Sequence, residues 1–234
     1  MSRLLFVDTP HHALQDDETP DPVLVAKNLR LETGHGVVFD GVTTEVPRGA
    51  VVAVTGKAGV GKSALLLALT GRMRGVTGEL SVDGNDALRH PGRVRKITSV
   101  ARIDDLVEPE DSLSLEDCIT ERTLADAASA RSRMANYLHT STLLGLDVPL
   151  TTLYGDLSPA DQVRAAISLA TIRPAPLIVL DDIDRETTTL EQGDLWEGLL
   201  RLSDEGVSII ASTSERTAIP LSVLSIEMDT PHAR

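Results

Sequence analysis

The sequence predicts an α/β fold, a mostly parallel sheet flanked by helices, and three observations predict it. First, the β-branched segment AVVAVTG runs straight into GKAGVGKSALLLALTGRM, whose apolar positions after Lys62 fit a helix closing near Gly71 or Gly75. Second, about 120 residues on, the apolar run Leu177 to Leu180 ends at Asp181 and Asp182, as a buried parallel strand delivers polar groups at its carboxyl end. Third, SLSLEDCI and LADAASARSRMANYLHTSTLLGL repeat apolar residues at three and four, the period of helices between those two strands.

Taken in order, residues 1–22 read as a flexible acidic tail rich in Asp, Glu, Pro and His. His11 and His12 lack further ligands at a regular spacing and read as solvated tail, not a metal site. Residues 23–234 form the domain. Its opening segments VLVAKNLRL, GVVFDGVTTEV and AVVAVTG are three strands separated by Gly, Asp or Pro. Trp196 and Leu199 pack a later helix on the sheet, and SVLSIEMDTPHAR adds one strand and a tail. The run Arg89, Arg93, Arg95 and Lys96 reads as solvated surface.

Composition narrows the partners. The chain has 234 residues, 41% apolar and 24% charged, enough for one domain with a core of its own. A net charge of -13 argues against nucleic acid, because counterion release needs clustered Lys and Arg facing phosphates. Cys118 stands alone, so no intramolecular disulfide or multi-cysteine zinc site forms, which fits a reducing compartment. Apolar stretches such as Leu65 to Leu69 fall far short of the roughly 20 residues that span a bilayer. The start, with Leu4 to Val7 its only apolar run, has no secretion signal. A cytoplasmic protein is expected.

The strand-to-helix junction carries the strongest chemical signal. Gly56, Gly61, Lys62 and Ser63 match a phosphate-binding loop, two glycines spaced for a tight curl and followed by Lys and a hydroxyl residue. The pattern arises by chance in roughly one such chain in a hundred at average glycine usage, and the flanking strand and helix sharpen it further. The plain alternative is a Gly-rich turn with a solvated lysine. In a phosphate loop, the backbone of Gly56, Lys57, Ala58, Gly59, Val60 and Gly61 turns its N–H groups inward, continuous with the positive end of the helix that starts at Lys62, Ser63 and Ala64. Lys62 meets the β- and γ-phosphates, and Ser63 places its hydroxyl on a magnesium ion bridging them. Asp181 is the second expected magnesium group, and Asp182 is positioned to orient or deprotonate water. Alone, the acidic pair also reads as a strand-ending turn.

With these residues in view, residues 23 to 215 resemble the nucleotide-binding domain of ATP-binding cassette transporters. The resemblance rests on motif order: the opening strands, GKAGVGKS, the strand and turn GELSVDG, the helical stretch, DLSPADQVRAAISLATIRPAPLIVLDDID, and GVSIIASTSE. It implies a P-loop NTPase core, an N-terminal antiparallel β-subdomain and a helical subdomain insert at about 103–157. It further implies ATP and Mg2+ as cofactors, a separate transmembrane subunit, pairing with itself or with another cassette subunit, and a place at the inner face of the membrane through that partner.

The departures from the family's pattern touch hydrolysis, the sensing of a partner's nucleotide and the reading of the base. Its Leu-Ser-Gly-Gly-Gln signature, which caps the partner subunit's nucleotide, falls on Leu157, Ser158, Pro159, Ala160 and Asp161. Pro159 has no N–H to give, and Ser158 with Pro159 and Asp161 equally makes an ordinary helix start. The glutamine expected to reach the metal falls on Arg102, which offers no acceptor. Thr213, Ser214 and Glu215 stand for the family's Thr-His-Asp switch. Asp182 stands for its catalytic glutamate, Thr33 with His35 nearby for its adenine-stacking aromatic, and Ala64 for its second hydroxyl. The expected function is therefore Mg-ATP binding coupled to a membrane partner with weak or absent hydrolysis. The alternatives are a slow true ATPase and a nucleotide-gated scaffold without a transporter; no Asn-Lys-x-Asp stretch supports a GTPase.

Overall fold

A computed structural model describes residues 21–103, 106–126 and 132–229, so the predicted tail lies, but for its last two residues, outside the described residues. Two sheets share the core. Strands β1 (Leu24–Thr33) and β2 (Gly36–Val46) form an antiparallel hairpin, and β4 (Val76–Val82) pairs with the other side of β1 and with the short β5 (Asn85–Asp86). Inward-facing residues in β1 change phase: Leu24 and Ala26 precede an irregularity, and Leu29 and Leu31 follow it. Asn28, at φ 50°, absorbs that slip as a bulge. Gly78 lies against it, where a Cβ would stand 2.6 Å from the Asn28 carbonyl, so β4 needs glycine there.

The second sheet is parallel throughout. It consists of β3 (Val51–Thr55), β6 (Thr98–Arg102), β7 (Leu177–Leu180), β8 (Ser208–Thr213) and β9 (Leu224–Glu227), in the order β6-β7-β8-β3-β9. Successive residues face opposite layers. Val52, Val54, Leu177, Val179 and Ile210 pack with helix α1 (Lys62–Leu69) and the antiparallel sheet. Val51, Ala53, Ile178, Leu180, Ile209 and Ala211 pack with α5 (Pro159–Ala170) and α6 (Thr189–Ser203), where Trp196 and Leu199 are fully buried. Coverage on both faces explains why the strands read as apolar runs instead of alternating.

Helix α2 (Pro91–Ile97) leads into β6. Between β6 and α5 lie α3 (Leu115–Ala125) and α4 (Arg133–Leu144), joined to α5 by a third apolar cluster that holds Cys118, Tyr137, Tyr154 and Leu169. Burial first, then Glu121 and Asp117, push the Cys118 thiol up to about 11, which leaves it an inert core residue.

Strand β6 is an edge of the parallel sheet, and arginines cover it. The Thr98 carbonyl accepts from Arg72 at 3.3 Å and from Arg173 at 3.0 Å, and the Val100 carbonyl accepts from Arg122 at 3.0 Å. Burial, then the charges of Arg122 and Arg173, lower Arg72 to about 10. In the basic run near α2, Arg89 is exposed, while Arg95 donates to the Gly71 carbonyl at 2.9 Å.

Candidate nucleotide-binding site

Parallel register brings three segments to one end of the sheet. Thr55 pairs with Thr213, and Leu180 with Ala211, so the loop after β3, the acidic pair after β7 and residues 214–215 after β8 emerge side by side. They enclose a cleft of about 490 Å3. Its loop side includes Ala58, Gly59, Gly61, Lys62, Ser63 and Ala64, and its far side includes Asp182, Asp184 and Ser214.

The loop curls for identifiable reasons. Val60 is buried in the core and anchors its middle, while Lys57, Ala58 and Gly59 are exposed. Gly61 is the N-cap of α1 in a left-handed conformation, φ 93°, where a Cβ would lie 2.9 Å from the Val38 carbonyl. No side chain caps this helix, so its first N–H groups remain for an anion. Gly56 is equally confined, since a Cβ there would meet the Met228 carbonyl at 2.6 Å.

Lys62 is only 6% exposed. Its ammonium donates to the carbonyls of Gly56 at 3.1 Å and Lys57 at 3.4 Å and to Ser214 Oγ at 3.0 Å, and stands 4.0 Å from Asp182 Oδ1. Asp181 is 1% exposed; its Oδ1 accepts a hydrogen bond from the Ser212 hydroxyl, and its Oδ2 has no hydrogen-bond partner. A buried carboxylate oxygen left unpaired is costly, and a divalent cation is the kind of group that offsets it, so this donor set fits magnesium. Asp182 is strained at φ 44°, and burial, then Asp181, raise its carboxyl above the usual Asp value, while Lys62 opposes the shift.

Several partners escape the sequence. Arg102 is 2% exposed and lies inside the fold, with Nη2 donating to the Asp182 carbonyl at 2.7 Å and the Asp181 carbonyl at 3.4 Å. Ser212 accepts from the Asp182 N–H at 2.8 Å. Asp184 Oδ2 accepts the N–H groups of Ser214 at 2.8 Å and Glu215 at 3.0 Å, latching the loop after β8 to the loop after β7. Glu108 forms a two-point ion pair with Arg185 at 2.5 and 3.3 Å. Each joins residues far apart in the chain, and no local pattern marks them.

Ser158 stands outside the cleft as the N-cap of α5, accepting from the Asp161 N–H at 3.1 Å and donating to Asp161 Oδ2 at 2.8 Å. Arg164 holds the other oxygen of Asp161 at 2.8 Å. Thr33 and His35 form the exposed turn of the β1–β2 hairpin, with the His35 N–H donating to Thr33 Oγ1 at 3.3 Å.

A phosphate loop on a parallel sheet, facing an acidic strand end, defines a P-loop nucleotide-binding domain. The family model for ABC transporters matches residues 39–184, and the chain belongs to that family. Among curated relatives, the ribose import ATP-binding protein RbsA of Caldanaerobacter subterraneus subsp. tengcongensis is 28% identical over 197 residues, 81% of this chain and 39% of the relative. The Nod factor export ATP-binding protein I of Ralstonia nicotianae is 27% identical over 194 residues, 82% of this chain and 59% of the relative. The chain thus spans less than two thirds of the length of these proteins. Among solved structures, cbiO1 from Clostridium perfringens, part of the ABC transporter complex cbiONQ, superposes with a TM-score of 0.75 at 19% identity, covering 90% of this chain and 86% of that one. A dimeric post-hydrolysis ATP-binding cassette bound to ADP and Pi superposes at 0.73 with 17% identity, covering 88% and 94%. Both share the fold. Among the described residues no helix is long and apolar enough to cross a membrane.

Proposed function

We propose that the chain is a cassette subunit that binds Mg-ATP and couples its nucleotide state to a separate membrane partner, with weak or absent hydrolysis of its own. One observation carries this reading: a glycine-confined loop and an uncapped helix start around the buried Lys62 coexist with an Arg102 guanidinium turned into the protein and a Ser214 hydroxyl on the lysine. The cradle binds. Loop N–H groups and Lys62 hold the phosphates, and Val60, buried in the core, anchors the loop. Ser63 and Asp181 would hold magnesium, which supplies charge neutralisation on the β- and γ-phosphates. Asp182 is one methylene shorter than the glutamate of the family pattern, and a displacement of order 1 Å costs on the order of a hundredfold in rate.

In this reading the subunit works at the inner face of the membrane through its partner, in a pair with itself or with a second cassette subunit. ATP titration with and without Mg2+ tests it, on the wild type and on Lys62→Ala. Submillimolar binding by the wild type and at least tenfold weaker binding by the variant are expected; equal binding would remove the basis for every site residue named here. One observation favours a second reading, a slow true ATPase: Asp182 keeps a carboxylate 4.0 Å from Lys62. Phosphate release that Asp182→Asn abolishes would establish that alternative.

A further inference from the structure

Strand β7 lies between β6 and β8, and each neighbour holds the acidic turn at its end. From β6, Arg102 receives the Asp181 N–H on its carbonyl at 3.0 Å and returns its guanidinium to the carbonyls of Asp182 and Asp181. From β8, Ser212 receives the Ile183 N–H on its carbonyl at 3.0 Å, while its hydroxyl accepts from the Asp182 N–H and donates to Asp181 Oδ1. Main-chain pairing alone would continue the strand. The two side chains instead grip a turn whose second residue is left-handed and non-glycine, a conformation that persists only where surroundings impose it.

We infer that Arg102 and Ser212 are positioning residues for a divalent cation: together they fix the Asp181 carboxylate so that Oδ1 is occupied and only Oδ2, buried and without a hydrogen-bond partner, is left for the cation. The rotation of a carboxylate decides which oxygen a cation meets, and a hydroxyl on one oxygen fixes that rotation. Arg102 sets the height of the turn, since a guanidinium bridging two successive carbonyls holds both peptide planes at once. Its charge also offsets the repulsion of two adjoining carboxylates. Arg102 thus acts on the metal group from behind, where the family's glutamine is expected to act directly.

The inference rests on the proposed Mg-ATP reading, and its test separates the two. The quantity is the ratio of ATP affinities in Mg2+ and in EDTA, measured for the wild type, Ser212→Ala, Arg102→Met and Arg102→Lys, with thermal melting as a control for folding; Met fills the space of Arg102 without offering the metal an amide oxygen. Second-neighbour partners of a metal ligand typically contribute 10- to 100-fold in metal affinity, so the ratio should fall about tenfold in Ser212→Ala and Arg102→Met. Affinity in EDTA should stay within about twofold of the wild type, because Lys62 and the loop amides are untouched. Arg102→Lys, able to reach one carbonyl, should recover part of the ratio. An unchanged ratio in folded Ser212→Ala overturns the inference even if Arg102→Met does not fold, as does an equal loss in both conditions. A wild type that binds no ATP in either condition, or gains nothing from Mg2+, overturns the underlying reading instead.

Discussion

Ser214 Oγ accepts a hydrogen bond from Lys62 Nζ at 3.0 Å, so the phosphate-loop lysine is held across the cleft by the loop after β8. That loop is in turn fixed by Asp184, which accepts the Ser214 N–H. A triphosphate entering the cradle competes with Ser214 for the same ammonium. One such hydrogen bond contributes about 0.5–1.5 kcal/mol net. Ser214→Ala should therefore tighten ATP binding about two- to tenfold in a fluorescent-nucleotide titration. Weaker binding would mean that the hydroxyl follows the lysine into the bound state.

Asp182 predicts a pH-dependent stability. Its folded carboxyl is raised from 3.8, chiefly by burial and next by Asp181, so the fold favours the protonated form. The sign follows: the neutral group costs nothing below its unfolded value, and the charged group destabilises the fold once pH rises through the raised value. Asp182→Asn removes that cost and suits a left-handed position. The variant should melt higher than the wild type near pH 7, and the gap should close as pH falls toward 3.8. A gap independent of pH would assign the effect to something other than ionisation.

Leu199 reports on the layer under the parallel sheet. It is fully buried in the cluster that contains Trp196, the sole tryptophan. Leu199→Ala leaves a cavity there and should cost about 2–5 kcal/mol. Trp196 fluorescence in a urea titration measures the loss, with an earlier midpoint and an unchanged slope as the expected outcome.

The sequence exposed what repeats locally and concealed what the fold assembles. Strand, glycine loop, Lys62 and helix are consecutive, so periodicity and glycine spacing disclose them, as the apolar run before Asp181 discloses β7. The helix start at Ser158 is equally local, and its N-cap bond to Asp161 is present. Arg102 reads from sequence only as an acceptor lost. Its actual bonds reach 80 residues along the chain to Asp182, through a strand pairing that no single sequence displays. Ser212 and Asp184 stay hidden for the same reason: a buried hydroxyl in a β-branched strand and an acid past a strand end are both commonplace until β7 and β8 lie together.

The start of α5 offers the sharpest test of the altered signature. Ser158 Oγ donates a hydrogen bond to Asp161 Oδ2 and accepts one from the Asp161 N–H, and Arg164 fixes the other carboxylate oxygen. The hydroxyl is thus engaged within its own helix, Pro159 lacks an N–H, and Asp161 brings negative charge to the place that would meet a partner's triphosphate. The altered signature weakens self-pairing, so ATP by itself leaves the isolated wild type monomeric under non-hydrolysing conditions, and any pairing with itself needs the membrane partner. Pro159→Gly with Ala160→Gly and Asp161→Gln restores the family pattern, returns one N–H and removes one charge. Glycines in a first helical turn cost up to about 1 kcal/mol each, which lowers melting by roughly 2–4 °C per kcal/mol in a domain of this size. The triple variant should accordingly melt several degrees lower yet form an ATP-dependent dimer in light scattering. A variant that remains monomeric with ATP bound would show that the signature is not what limits pairing, and would move the cause to the cleft around Ser214.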